Sequence, residues 1–357
     1  MRVVIKVGSQ SILNADGTPL LDVMTSVIEQ IIALNKAGHQ VVLVSSGAVA
    51  LGRKLVRTTL SQEYGNSMAE KQLLASLGQP QLMSIYTQIC AKYGYLASQL
   101  LLTKYDFQTK RSYTNILRML QKSLAQPNVI TIINENDSVA IEELMFTDND
   151  ELSGIVAAQI EADKLLLLTS IDGVYTKNPT EPDAELIKEI SIHDELPDLV
   201  GKTSFGRGGM SSKLTTARKM ASVGIMTHIA SLSTDLVIKK LVIDNEPIGT
   251  KVLPEHKKSN LKKFLAFNQS ITNAQIVVND GVVDAISKNP ALSILPVGVE
   301  SFNGEFHRGD LLEIITTHNK KIGLGIAKYD FTELKDYLGK RNCPEIIHHD
   351  YLHIYVD

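Results

Sequence analysis

The residues Asn134–Gly154, NENDSVAIEELMFTDNDELSG, carry three Asp and four Glu without a single Lys or Arg, directly behind the apolar run Val129–Ile133. Acids this dense beyond the end of a buried strand suit either the cationic group of a substrate or a phosphate-bound Mg²⁺. Asn and Asp also make turns and helix caps by bonding nearby backbone, which is the plainer reading. Two lysines stand out beside them. Lys6 lies within the apolar first run RVVIKV, where a cation is costly unless its head reaches water or an anion. Lys213 falls in the first turn of a helical pattern with apolar residues at Met210, Leu214, Ala217 and Ala221, where it opposes the helix dipole unless an anion is present or water takes it up. Three glycine-containing segments sit where strand-like runs give way to helical ones: KVGSQ at Lys6–Gln10, SSGAVALG at Ser45–Gly52 and GRGGMSSK at Gly206–Lys213. Glycine lets backbone N–H groups close on an anion, so each could cradle a phosphate, but none fits the GxxxxGK[ST] or GxGxxG pattern in full and each also reads as a tight turn. Asn134, Asp137, Asn149 and Asp150 are the acidic-stretch residues expected to converge with the lysines; Glu142, Glu143 and Glu151 are expected to face solvent.

The elements that would position these groups follow an alternating pattern. Strand-like runs at RVVIKVG, HQVVLVSSG, Ala97–Leu102, Val129–Ile133, KLLLLTS and MTHIASL alternate with helical patterns near Leu21–Lys36, Ala69–Tyr93, Thr109–Gln126, Glu151–Glu161 and Met210–Val223. Strands that are apolar on both faces and separated by helices predict an α/β fold with a mainly parallel central sheet covered by helices. After about Val252 the character changes. A polar, basic stretch, PEHKKSNLKKF, precedes short Gly-broken strands, which predicts a first domain over 1–253, a linker over 254–272 and a small β-rich domain over 273–357.

Composition narrows the function classes. The 357 residues carry a formal charge of -3, which gives no bulk attraction to nucleic acid or an anionic membrane. Cys90 and Cys343 are far apart, with no CxxC or Cys/His spacing, so neither a disulfide framework nor a zinc site is expected; the His348, His349 and His353 group reads as surface decoration. With no apolar run of membrane-spanning length and no signal-peptide core, a cytoplasmic protein is expected.

Taken together, IKVGSQSIL, VVLVSSGAVALGR, KQLLASLGQPQLM, INENDSVA, TDNDELSGIVAAQIEADKLLLLTSIDGVYTKNP and GRGGMSSKLTTARKMASVGI, in this order and spacing, resemble the amino acid kinase family and within it the glutamate 5-kinases. The segment from AQIVVNDGVVDAI onward resembles the PUA domain appended to many of them. The resemblance implies an amino acid kinase-like sandwich with a PUA-like C-terminal domain. It also implies transfer of the ATP γ-phosphoryl group to the side-chain carboxylate of L-glutamate, with Mg²⁺ carried by the ATP phosphates and no dedicated protein metal site. Lys6 and Lys213 match the two phosphate-facing lysines, Asp150 the acid that orients them, and Gly8 with Ser9 the first phosphate turn. Glutamate binding carries over to Ser46, Gly47, Asn134, Asp137, Asp148 and Asn149. Nucleotide binding carries over to Thr169 and Ser170 and to the loop Arg207, Gly208, Gly209, Met210, Ser211, Ser212 and Lys213. Gln10, Ser170 and Arg207 depart from the family's pattern.

The same resemblance implies feedback inhibition by proline, a homodimer or homotetramer, and a glutamyl phosphate reductase as a partner that takes up the product. RNA is the partner a PUA domain suggests, yet residues 271–357 carry 8 Lys and Arg against 12 Asp and Glu. Backbone binding needs clustered cations, so a regulatory or packing role is expected there instead. Two other readings stay open: a paralogous kinase acting on a different acidic metabolite, and a non-catalytic RNA-binding or regulatory scaffold.

Overall fold

The apolar run behind Met1 forms β1 (Arg2–Val7), and it is buried because it is flanked on both sides. It pairs in parallel with β2 (Gln40–Ser45), Lys6 opposite Val44, and with β5 (Lys164–Thr169), Lys6 opposite Leu167. A computed structural model of the chain describes residues 1–107, 110–140, 146, 148–194, 209–254, 274–288 and 292–355. Its main sheet has eight strands in the order β3-β4-β2-β1-β5-β7-β8-β6, where β3 is Leu96–Leu102, β4 Val129–Glu135, β6 Glu189–Ile190, β7 Met226–Ser231 and β8 Thr250–Val252. Every pairing in it is parallel except β7 with β8. The mainly parallel sheet expected from the sequence is present; the short strands β8 and β6 at one end of it carry too little pattern to be read from the sequence.

Helices cover this sheet. In α2 (Leu21–Lys36) the buried residues Met24, Val27, Ile28 and Ile31 recur every three or four positions, as an apolar stripe against a sheet requires. Burial of each such side chain contributes about 1.5–3 kcal/mol. After the short helix α1 (Ser9–Ile12), α3 (Ala48–Leu60) and α4 (Met68–Lys92) pack backbone to backbone. A Cβ on Gly52 would lie 1.8 Å from the Leu74 carbonyl oxygen, and one on Gly78 would lie 1.8 Å from that of Ala48. Neither backbone oxygen can swing aside as a side chain would. Gly78→Ala is therefore expected to destabilise the protein by about 3 kcal/mol or more, read as a lowered midpoint in chemical unfolding. An unchanged midpoint would mean that the two helices can separate freely.

The topology also fixes where a ligand can sit. Helix α5 (Lys110–Leu124) joins β3 to β4; the chain leaves β1 toward β2 on one side, and leaves β4 through α6 (Asn149–Gln159) toward β5 on the other. Loops diverging at such a switch point open a crevice outside the carboxyl ends of the strands. Those ends are Lys6 to Ser9, Ser45 to Gly47, Asn134 to Asp137, and Thr169.

The chain divides into two compact units, Met1–Lys104 with Leu117–Lys257, and Tyr105–Ile116 with Lys258–Asp357. The second contains a five-stranded sheet in the order β10-β9-β11-β12-β13, formed by β9 (Ala274–Val278), β10 (Val299–Asn303), β11 (Leu311–Thr316), β12 (Lys321–Ile326) and β13 (Leu352–Ile354). This is the β-rich unit that the sequence predicts. Phe302, Phe306 and Phe331 meet edge to face or tilted within it, and Tyr113 joins Leu311, Leu324, Ile326, Tyr351 and Tyr355 in a second apolar cluster. That cluster groups the segment Tyr105–Ile116 with this unit. Residues 255–272 of the expected linker lie outside the described residues.

Candidate active site

Lys6 is the fifth residue of the central strand and only 5% exposed, so its ammonium must find a counter-charge inside the protein. It finds Asp150, whose Oδ1 lies 2.7 Å from Lys6 Nζ. Lys213, in the first turn of α7 (Met210–Ser222) and 6% exposed, places its Nζ 2.9 Å from the other oxygen, Oδ2. Asp150 is fully buried in the first turn of α6, where the helix dipole also favours a carboxylate. Burial alone would raise the pKa of Asp150, but the charges of Lys6 and then Lys213 outweigh it and the net direction is downward. Lys6 is pushed down by its burial and by Lys213, against the pull of Asp150. One carboxylate thus holds two ammonium groups, and the triad keeps one excess positive charge. Lys6 and Lys213 both line a cavity of about 620 Å³, so that excess can be offset there by an anion.

On the same cavity wall a chain of side-chain amides is held in one orientation. The Asn149 Nδ2 group donates to Ser46 Oγ at 2.7 Å and to Asn134 Oδ1 at 3.0 Å, and Asn134 Nδ2 donates in turn to Gln79 Oε1 at 2.9 Å. Among the described residues, Asn149 Oδ1 is buried without a hydrogen-bond partner, an acceptor left for a ligand donor. Ser46 is delivered by the turn after β2, where Gly47 takes φ +119° as it starts α3. That conformation strains any other residue, and a Cβ there would lie 3.2 Å from Leu13 Cδ1. Asp148 caps α6, accepting from the backbone N–H of Asp150 at 2.9 Å and of Glu151 at 3.1 Å. Burial, then the charge of Asp150, pushes Asp148 up, with the Ser212 hydroxyl bond opposing them. A site with ammonium groups at one end and oriented amides at the other can hold a polyanion beside a small polar zwitterion.

Residues 1–231 of the chain match the amino acid kinase family, and residues 274–349 match the PUA domain. The chain belongs to the amino acid kinase family. Within it, the chain is 36% identical to the glutamate 5-kinase of Bacteroides thetaiotaomicron over 99% of this chain and 98% of that protein. The identity is 35% to the Chlorobaculum tepidum glutamate 5-kinase (99% and 97% covered) and 39% to that of Aliivibrio salmonicida (95% and 92%). Among solved structures, UMP kinase from Bacillus anthracis aligns with a TM-score of 0.47 and 16% identity, over 71% of this chain and 96% of that one.

Most of the residues that sequence reasoning singled out in this amino acid kinase meet at the one cavity. Lys6, Gly8, Ser9, Thr169 and Lys213 line it on the side of the buried triad. Ser46, Gly47, Asn134, Asp137, Asp148 and Asn149 also line it. Gly209 precedes α7, and Met210, Ser211 and Ser212 form that helix's first turn; Ser170 is exposed just past β5. Arg207 and Gly208 lie outside the described residues, as do Glu142 and Glu143. The departure at Gln10 also faces the cavity.

One expectation is corrected, and one alternative falls away. Glu151 does not simply face solvent: its carboxylate lies 3.2 Å from Lys104 Nζ with both side chains largely buried, and that ammonium stands 5.9 Å from the Phe146 ring centre. The solvated alternative for Lys213 fails because α7 begins against α6, which carries Asp150. Sequence reasoning missed Gln79, which anchors Asn134, and Glu135, whose carboxylate accepts the Phe146 N–H at 2.8 Å. Gln79 left a signal: it interrupts the buried stripe Leu74, Ala75, Gly78, Leu82 and Met83 of α4, and a buried amide in an apolar stripe needs a polar partner. Arg53 was missed too; it faces the cavity and ties down the neighbouring loop through the Tyr64 and Gly65 carbonyls.

Proposed function

We propose that the protein transfers the γ-phosphoryl group of ATP to the side-chain carboxylate of L-glutamate, giving L-glutamyl 5-phosphate, the first step of proline biosynthesis. The observation that carries this reading is the pair of buried lysines, from β1 and α7, held on Asp150 beside the Ser46–Asn149–Asn134 chain in a single cavity. The near full-length similarity to proteins named glutamate 5-kinase supports the choice of acid.

A glutamate side chain, with a pKa of about 4.3, is already ionised at neutral pH and needs no general base. One carboxylate oxygen attacks the γ-phosphorus, the bond to the β-phosphate oxygen breaks, ADP leaves, and no proton has to move. The task left to the protein is to bring two anions together. Lys6 and Lys213 neutralise the transferring phosphoryl group, Asp150 holds both ammoniums in place, and the turn at Gly8 and Ser9 offers backbone N–H groups. Asn149 Oδ1 and the Asp137 carboxylate accept from the substrate ammonium, while Ser46 and the backbone at Gly47 hold its α-carboxylate. Thr169, Ser170 and the loop from Arg207 to Lys213 carry the nucleotide. The residues fit a nucleotide-borne Mg²⁺, because both oxygens of Asp150 are taken by lysines, leaving the ion to the ATP phosphates. When bound, it neutralises phosphate charge.

Purified protein given ATP and a panel of glutamate, acetylglutamate and aspartate should form acyl phosphate, trapped with hydroxylamine, with glutamate preferred. Preference for another acid would make it a paralogous kinase; no turnover, with tight salt-sensitive RNA binding, would make it a scaffold. Asn149→Ala is expected to raise the KM for glutamate by about 10- to 100-fold with a much smaller change for ATP, because only the amide contacts are lost. Equal changes for both substrates would argue against that assignment. The same reading extends to feedback inhibition by proline at or near the glutamate site, a homodimer or homotetramer, a glutamyl phosphate reductase as the acceptor of the labile product, and a cytoplasmic location. No described helix is long and apolar enough to cross a membrane.

A further inference from the structure

At the amino-terminal ends of β5 and β7, opposite the site just described, a second cavity of about 330 Å³ opens against the turn that contains Asn245. Lys164, Lys188, Lys251 and His228 line it. Lys164 is 8% exposed and donates from Nζ to the Leu241 carbonyl and to Asn245 Oδ1, both at 2.8 Å. His228, opposite Lys251 across the β7–β8 pairing, is 6% exposed, and its Nδ1 is buried without a hydrogen-bond partner among the described residues. Two acids face this cavity. Glu189 is taken up by Lys251 at 3.2 Å, and Glu246 lies at the exposed surface. Burial, then Lys164 and Lys251, pushes His228 down to about 4, so at neutral pH the ring is uncharged beside those cations, and Nδ1 donates in the tautomer that carries its proton. Lys164 is itself lowered by burial and by Lys251.

We propose that this cavity binds a small oxyanion, a phosphate monoester or a carboxylate, at a site separate from phosphoryl transfer. Lys164, Lys188 and Lys251 line it beside an imidazole nitrogen without a hydrogen-bond partner among the described residues, and an anion would accept from that nitrogen when it carries the ring proton and relieve the repulsion between Lys164 and Lys251. The volume admits a metabolite rather than a lone ion. Lys164 and Thr169, at the first site, are five residue steps apart along β5, a span of about 17 Å, so both cavities can be filled at once.

The test is calorimetric titration of the full chain with inorganic phosphate, and separately with succinate, with glutamate and a non-hydrolysable ATP analogue already saturating the first site. A saturable one-to-one event is expected, weakened about tenfold or more by Lys251→Met and by His228→Leu, with circular dichroism before titration as the control for folding. Tighter phosphate binding would identify a phosphorylated ligand, and tighter succinate binding a carboxylate. Lys188→Met serves as a third variant should His228→Leu fail to fold. Absence of saturable binding, binding unchanged in the folded variants, or loss of binding when the first site is filled would each overturn the proposal. A protein inactive as a kinase that still binds phosphate in this way would leave the proposal standing while the functional reading fell.

Discussion

Lys213→Ala is expected to lower kcat by about 10²- to 10³-fold while the protein remains folded, because in the proposed reaction it removes one of the two fixed cations that would meet the transferring phosphoryl group. Folding survives for a structural reason: Asp150 keeps Lys6 at 2.7 Å, and Lys213 lines an open cavity, so water can reach the vacated oxygen. Lys213→Arg should recover little, since a planar guanidinium cannot reproduce a point charge delivered from the first turn of α7 onto one carboxylate oxygen. Steady-state kinetics at saturating ATP and glutamate, with circular dichroism as the folding control, decides the matter. A kcat within a few-fold of the parent would remove Lys213 from the reaction.

Asp150→Ala is expected to be more damaging than the loss of either lysine, and in stability as well as rate. It leaves two buried ammonium groups with no shared counter-ion, the situation in which breaking a buried ionic cluster costs about 3–5 kcal/mol. Denaturant unfolding at pH 7 measures that cost directly. The pH dependence carries a sign. The folded-state pKa of Asp150 is depressed, so its contribution is fully present above the ordinary carboxylate value of about 3.9 and is lost as pH falls through the lower folded value. The stability gap between the parent and Asp150→Asn should therefore narrow below about pH 4. A gap that widened toward acid would mean that Asp150 is protonated in the folded protein at neutral pH.

Several parts of this picture were legible from residue order alone. Apolar runs such as RVVIKV, broken inside only by Lys6, and KLLLLT lack the polar alternation of a half-exposed strand and read as strands covered on both faces, which calls for helices on the sheet. Lys6 announced a partner, water or an anion, because a lysine in an apolar strand is rarely buried unpaired. The acidic stretch announced a ligand or a cap, and it proved to hold both a cap at Asp148 and a paired acid at Asp150.

Tertiary structure alone decided which partner each group received. Asp150 is 144 residues from Lys6 and 63 from Lys213, and nothing local in the sequence states that β1, α6 and α7 end at one point. The pairing of Glu151 with Lys104, the anchoring of Asn134 by Gln79, and the meeting of His228 with Lys164 and Lys251 are of the same kind. Local sequence sets the period and the caps of an element through short-range hydrogen bonds and sterics. Which charges meet across the core is settled only when the strands take their order, because electrostatic partners are chosen by distance in space.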